Sequence, residues 1–302
     1  MKFGVVGVGN IAKKAYLPSY SSRRNQGAFL FATRNSSVQK ELREAFGFSS
    51  VYDTLDQLII EGIDACFIHT ATHTHFQLVK QCLENNIHVF VDKPLSENLQ
   101  EVRQLQALAK EKKLLLMVGF NRRFAPMVTF LKEQPDKRII HLQKNRVAAK
   151  QTTDFVIYDL FLHLVDTAVY LLDEPIKQVS SKVKESKGHM QWVSLTIETD
   201  TQLAILTMDL VSGANTEVYQ LTTPKGTFTL TNLVDLQTQE EGETRLTSFG
   251  DWETTLAKRG FEQLVDAFID GVKTRSAANL KQENIYLSHQ LCEQILQQLS
   301  KE

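Results

Sequence analysis

Short apolar runs alternate with helical patterns over the first 120 or so residues. Runs at Phe3–Val6, Phe29–Ala32, Ala65–Ile68, Val89–Val91 and Leu114–Val118 predict strands. Between them, Ser37–Phe46, Thr74–Asn85 and Leu99–Lys112 set apolar side chains three and four residues apart, as the buried face of a helix requires. Strands separated by crossover helices predict a doubly wound parallel sheet, which binds ligands beyond the carboxyl ends of its strands. The candidate site therefore lies in the segments after each strand: 7–11, 33–35, 69–75, 92–94 and 119–123.

After Pro126 the pattern changes. One helix is predicted at Asp154–Leu172, then strand-like segments from about Val179 to Ser248, including Trp192–Ile197, Leu203–Met208, Glu217–Thr222 and Thr227–Leu230. Helices at Leu256–Asp270, ending at Gly271, and at Lys281–Leu299, capped near Asn279, close the chain. This half reads as α+β with a mainly antiparallel sheet. Leu203 and Ile205 alternate with Ala204, Leu206 and Met208, so both faces of that sheet carry apolar residues and one face is open to a partner subunit. Two domains follow, 1–121 and 122–302, with the final helices able to pack back on the first.

The first strand runs straight into Gly7-Val8-Gly9-Asn10-Ile11-Ala12. Gly7 permits a tight turn, Gly9 lets a pyrophosphate approach the backbone, and Ala12 allows close packing of helix on strand. A dinucleotide is the expected ligand, with Asn10 and Ile11 flanking it. After the second strand, where a carboxylate would accept from the ribose of NAD, the chain has Thr33-Arg34-Asn35-Ser36-Ser37. An arginine among hydroxyls suits a 2′-phosphate, so NADP(H) is favoured over NAD(H).

Composition narrows the partners. The 302 residues carry a formal net charge of −1 with no long block of one sign, which argues against nucleic acid. No stretch of about 18 apolar residues and no leader-like N-terminal segment is present, so a cytoplasmic protein without membrane contact is expected. The three cysteines, Cys66, Cys82 and Cys292, lack metal or disulfide spacing and read as buried apolar groups.

Four blocks resemble, in order and over nearly the whole chain, the family of glucose-fructose oxidoreductase and inositol dehydrogenase. Asp64–His75 is similar to its aspartate and apolar run ending in Ala-Thr-Pro with a histidine nearby. His88–Pro94 is similar to its Glu-Lys-Pro signature, and Val118–Phe124 to the end of its sixth strand. Tyr158–Asp166 is similar to its Asp-x-Gly-x-His motif with a following acid. The departures are Asp92 for glutamate, Phe161 for glycine, and His69 with Ala71 in the Ala-Thr-Pro turn. The shorter Asp92 weakens an expected contact to the nicotinamide ribose, and the bulky Phe161 narrows a substrate pocket.

The resemblance implies a Rossmann-type domain and hydride transfer between nicotinamide and a carbon bearing a hydroxyl, on a sugar, polyol or related small molecule. Loss of hydride from an alcohol needs loss of its proton, and His163 is the expected base. Asp159, four residues earlier, shares its helix face and is expected either to orient it or to contact substrate hydroxyls directly. Lys93, aimed by Pro94, polarises the substrate oxygen. Thr70, His75, Asp92 and Lys93 join the cofactor side, and Arg122 and Asp166 the substrate side, with one of Arg122 and Arg123 also a candidate to pair with a second-domain carboxylate. The histidines 69, 73 and 75 invite a metal reading, but a lysine electrophile removes the need for one, and no metal is assigned. A homodimer or homotetramer through the second-domain sheet is implied. A nucleotide-binding sensor that has lost catalysis is the competing reading, kept open by Phe161 and Asp92.

Overall fold

The computed structural model describes residues 1–299. They form two compact units, one of residues 1–120 and 261–282, the other of 121–260 and 283 onward. The first boundary lies one residue before the expected one. The segment 261–282, which carries the first of the final helices expected to be able to pack back on the first domain, belongs to the first unit.

In the first unit, β1 (Lys2–Val6), β2 (Ala28–Ala32), β3 (Val51–Tyr52), β4 (Ala65–Ile68), β5 (His88–Val91) and β6 (Leu116–Val118) form a wholly parallel sheet in the order β3-β2-β1-β4-β5-β6. The strands read as apolar runs because helices cover both faces. The order reverses direction beside β1, so the turn after β1 and the end of β4 flank the crevice that such sheets use for ligands. Asn35, Thr54 and Asn98 cap the helices Ser36–Glu44, Leu55–Ile60 and Leu99–Glu111, and Thr54 with Gln57 completes a capping box. The short strand β3 and the helix after it, Leu55–Ile60, have too few residues to show a period and escape the sequence pattern.

The helix Phe261–Thr274 joins this unit through an aromatic core, where Phe268 meets Phe67 and Phe90 with ring centroids 5.0 and 5.7 Å apart. Arg23 fastens it further by a bidentate contact to Asp266 at 2.5 and 2.7 Å. This helix starts at a forced break. Gly260 has φ +80°, and a Cβ there would lie 2.4 Å from the Ala125 amide and the Asn121 carbonyl. The single helix expected over Leu256–Asp270 is therefore two, Thr255–Lys258 and Phe261–Thr274, and Gly271 sits inside the second. The last helix begins at Ile285, four residues later than expected.

In the second unit, β7 (Ile139–Val147), β8 (Gln178–Ser186), β9 (His189–Glu198), β10 (Leu203–Ser212), β11 (Thr216–Thr223), β12 (Gly226–Thr231), β13 (Asp235–Glu240) and β14 (Glu243–Thr247) form one sheet, ordered β14-β13-β12-β11-β7-β10-β9-β8. Every pairing is antiparallel except β7 with β10. Ile140, Leu142, Ala204, Leu206, Met208, Tyr219 and Leu221 make the buried face. The helices Leu162–Leu171 and Ile285–Leu299 cover it, while Leu203, Ile205 and Val218 stand half-buried on the other face. Strand β7 was not expected, since polar residues at 141, 143, 144, 145 and 146 mask its alternation. Among the described residues no helix is long and apolar enough to cross a membrane.

Candidate active site

The turn after β1 is shaped as a phosphate cradle. Gly7 has φ +87°, and a Cβ there would come within 2.8 Å of the His69 carbonyl and the Thr70 methyl, so only glycine fits. At Gly9 a Cβ would meet nothing within 4 Å. The space beside this backbone is open, and the helix over residues 10–22 begins there with its first amides directed outward. Ala12 is buried, while Asn10 and Ile11 are exposed. These features fit the pyrophosphate of a dinucleotide. A π-helical turn at Ala12–Tyr16 rotates Tyr16 and Tyr20 into the core below.

After β2, Arg34 is exposed and makes no hydrogen bond or ion pair among the described residues. Asn35 is partly committed, its Oδ1 accepting from the amides of Ser37 and Val38 at 3.1 and 3.2 Å, which leaves its amide nitrogen to donate. Thr33 Oγ1 accepts from the Asn35 amide. Gln39 donates at 2.7 Å both to the Thr33 carbonyl and to Asp53 Oδ1. Asp53 is thus a carboxylate beside this loop that sequence reading missed, because it follows the unpredicted strand β3.

The ends of β4 and β5 are joined by a buried polar chain. Tyr20 Oη lies 2.7 Å from His69 Nε2, His69 Nδ1 is 2.8 Å from Asp92 Oδ2, and Tyr16 Oη donates to Asp92 Oδ1 at 2.6 Å. The Tyr16 ring also stacks on His69, with centroids 4.0 Å apart. One proton arrangement satisfies every atom: Tyr20 donates to Nε2 and Nδ1–H donates to the carboxylate. Burial alone would raise the Asp92 carboxyl, but His69 and the Tyr16 hydroxyl outweigh it and hold it below the ordinary range. Two of the departures from the family pattern, His69 and Asp92, are therefore one contact, and the ring fills the reach that the shorter acid gives up.

His75, expected on the cofactor side, is instead an internal brace. It is 1% exposed, with Nδ1 2.8 Å from the Pro94 carbonyl and Nε2 3.1 Å from the Thr70 carbonyl. Burial pushes its pKa down. It ties the end of β4 to the Lys93–Pro94 turn, whose peptide is cis and whose Lys93 is half-buried. Thr70 Oγ1 accepts from Thr74 Oγ1 at 2.7 Å. Among the described residues no three or more of His, Cys, Asp and Glu converge on a metal position.

In the second unit the helix expected at Asp154–Leu172 is present, with a π-helical turn at Val156–Phe161 that carries Asp159. Asp159 and His163 are half-buried within a stretch where Val156–Tyr158, Phe161, Leu162 and the residues 164–169 are buried. The polar pair is thus displayed from an apolar helix. Phe161 is fully buried, 0% exposed.

Arg122 and Asp166, expected to contact substrate, are each held in a buried ion pair. Arg122 grips Glu217 at 2.6 and 3.0 Å, and Arg123 grips Asp166 at 2.9 and 2.7 Å. Ser288 adds a 2.9 Å hydrogen bond to Asp166. Both forks are bidentate, the geometry in which an arginine and a carboxylate bind most strongly. Charges this deeply buried require such partners, and both arginines, rather than one, find them in second-unit acids. Lys144 and Tyr219 complete the Glu217 cluster. Neither Glu217 nor Lys144 was anticipated, although each interrupts an apolar inward position of its strand.

Residues 1–120 match a family described as an oxidoreductase family with an NAD-binding Rossmann fold, and residues 126–241 match the YceM-like C-terminal domain. The YceM protein of Salmonella typhimurium is 32% identical over 298 residues, covering 97% of this chain and 96% of that one. The myo-inositol 2-dehydrogenase of Thermotoga maritima is 29% identical over 193 residues, 59% of this chain and 57% of that one. A solved Gfo/Idh/MocA family oxidoreductase from Vibrio cholerae superposes with a TM-score of 0.92 at 26% identity, covering 100% of this chain and 98% of that one. The cradle and the two-sheet fold define an NAD-binding oxidoreductase. The chain belongs to the glucose-fructose oxidoreductase and inositol dehydrogenase (Gfo/Idh/MocA) family.

Proposed function

We propose that this protein moves a hydride between nicotinamide and a hydroxyl-bearing carbon of a sugar, polyol or related small molecule. The observation that carries the reading is the Asp159–His163 pair, left half-exposed on a helix whose neighbouring side chains are buried. His163 takes the hydroxyl proton, Asp159 orients its ring and steadies the imidazolium, and the Lys93 ammonium stabilises the charge developing on the substrate oxygen. The nicotinamide, when bound, accepts or gives the hydride; Gly7, Gly9, Asn10 and Ile11 hold its pyrophosphate side.

NADP(H) is the coenzyme we favour, because Arg34 is exposed and the Asn35 amide nitrogen is left to donate, the groups that would suit a 2′-phosphate. The reading with NAD(H) rests on Asp53, whose carboxylate suits a free ribose hydroxyl. Binding of each coenzyme to Arg34→Glu separates the two: NADPH affinity should fall at least tenfold more than NADH affinity. We further infer a cytoplasmic homodimer or homotetramer formed through the half-exposed face carrying Leu203, Ile205 and Val218, and light scattering coupled to gel filtration tests it.

Oxidation of NADPH in the presence of a panel of ketoses, inososes and aldehydes tests the activity. Turnover of at least one, lost in His163→Ala while coenzyme still binds, is expected. Coenzyme binding without turnover of any member overturns the proposal.

A further inference from the structure

The second unit holds a group of charges that the Asp159–His163 chemistry does not use. Lys144 of β7 and Glu217 of β11 are direct cross-strand partners on the buried face of the sheet, the face on which the helix Leu162–Leu171 packs. Alone they would make a neutral pair. Arg122 disturbs that balance. Its guanidinium takes both carboxylate oxygens, Tyr219 donates to one of them, and Lys144 Nζ is left with a single contact to Oε2 at 3.3 Å. One carboxylate thus serves two cations whose side chains are only 5% and 4% exposed. A third cation, Arg146, stands two residues along β7 on the same face and is half-buried. Among the described residues its guanidinium has no hydrogen bond or ion pair. Met208 of β10, the partner of Lys144 on its other side, brings no charge.

A surplus buried cation is costly, and a leucine at 144 would simply extend the stripe of Ile140 and Leu142. The ammonium registers the strain. Burial, followed by the neighbouring Arg122 and Arg146, pulls Lys144 down to about 7 despite the support of Glu217. The amine is therefore partly neutral near neutral pH and gains a proton when an anion arrives beside it.

We propose that Lys144 and Arg146 form an anion subsite, so that the substrate carries a carboxylate or phosphate as well as the hydroxyl that is oxidised. Arg146 presents a planar fork to anionic oxygens and Lys144 a point charge beneath it. The inference deepens the proposed oxidoreductase activity and rests on it for the identity of the ligand as substrate.

Calorimetry on the intact protein at pH 7.5, in buffers of different ionisation enthalpy, tests the subsite with inorganic phosphate and gluconate as probes. One of the two should bind with uptake of up to about three-quarters of a proton. Lys144→Met should abolish the uptake and weaken binding about ten- to a hundredfold, and Arg146→Gln should weaken binding while the uptake persists. NADPH affinity should be unchanged in both variants. In turnover, glucose 6-phosphate and gluconate distinguish phosphate from carboxylate, with myo-inositol as the uncharged control. A kcat/KM at least tenfold higher for an anionic substrate, lost in Lys144→Met, supports the subsite. Turnover of uncharged substrates alone overturns the subsite and leaves the oxidoreductase reading standing. Anion binding with proton uptake but no turnover supports the subsite and counts against that reading. Absence of anion binding to either probe overturns the subsite.

Discussion

The two units handle polarity in opposite ways. Around the β1 turn the working groups are backbone amides and an open ledge at Gly9, and the buried polar chain Tyr20–His69–Asp92–Tyr16 is satisfied by a single carboxylate without a permanent cation. In the second unit buried ion pairs take that place, Arg123 with Asp166 and Arg122 with Glu217, with the titrating Lys144 beside the latter. A backbone cradle selects by shape and tolerates few side-chain changes, whereas paired side-chain charges can be rearranged one residue at a time. The first unit carries the NAD-binding Rossmann fold of the family.

The sharpest break in this comparison is chemical. Lys93→Ala and His163→Ala should each lower turnover by about two to four orders of magnitude, with NADPH affinity within a few-fold of the parent, as steady-state kinetics and fluorescence titration would show. Next in size is the loss of a buried partner. Asp166→Ala removes the bidentate partner of Arg123, which is 0% exposed, and should cost about 3–5 kcal/mol in denaturant unfolding. The glycines of the first unit should separate stability from binding. Gly7→Ala meets the His69 carbonyl at positive φ and should cost about 1–3 kcal/mol of stability. Gly9→Ala meets no protein atom, so stability should move by less than about 0.5 kcal/mol while NADPH binding weakens.

A further effect concerns pH. The folded pKa of Lys144, about 7, lies below its ordinary 10.5, so the unfolded chain binds more protons between those values. This residue's contribution to stability therefore rises as pH increases from about 7 toward 10. Lys144→Met should melt higher than the parent at pH 7, by up to about 1–4 kcal/mol in stability, and the difference should shrink by pH 10. A difference that does not change with pH would show that Lys144 is not the group responsible.

Much of the first unit was legible because its strands are short apolar runs and its turns carry glycine or a capping asparagine. The second unit was less so. Strand β7 hid behind Lys144 and Arg146, and Arg122 and Glu217, which bind each other, are 95 residues apart in the chain, beyond any local pattern. The same distance problem concealed His69–Asp92, where two apparent departures compensate each other. Asp159 and His163 were legible through four-residue spacing, whereas the brace role of His75 was not, since a buried histidine and a ligand-facing one look alike in sequence. Gly260 and Gly271 show the limit of reading glycine as punctuation: one breaks a helix and the other lies inside one.

The return of residues 261–282 to the first unit sets a timetable for biosynthesis. Until that segment leaves the ribosome, Phe67 and Phe90 lack Phe268 and Arg23 lacks Asp266. At about 5–20 residues per second, the interval after residue 120 lasts roughly 10–30 s. Throughout it the nascent sheet is complete in its strands yet uncovered on one aromatic flank, so the unit that is encoded first is closed only after most of the second has been made.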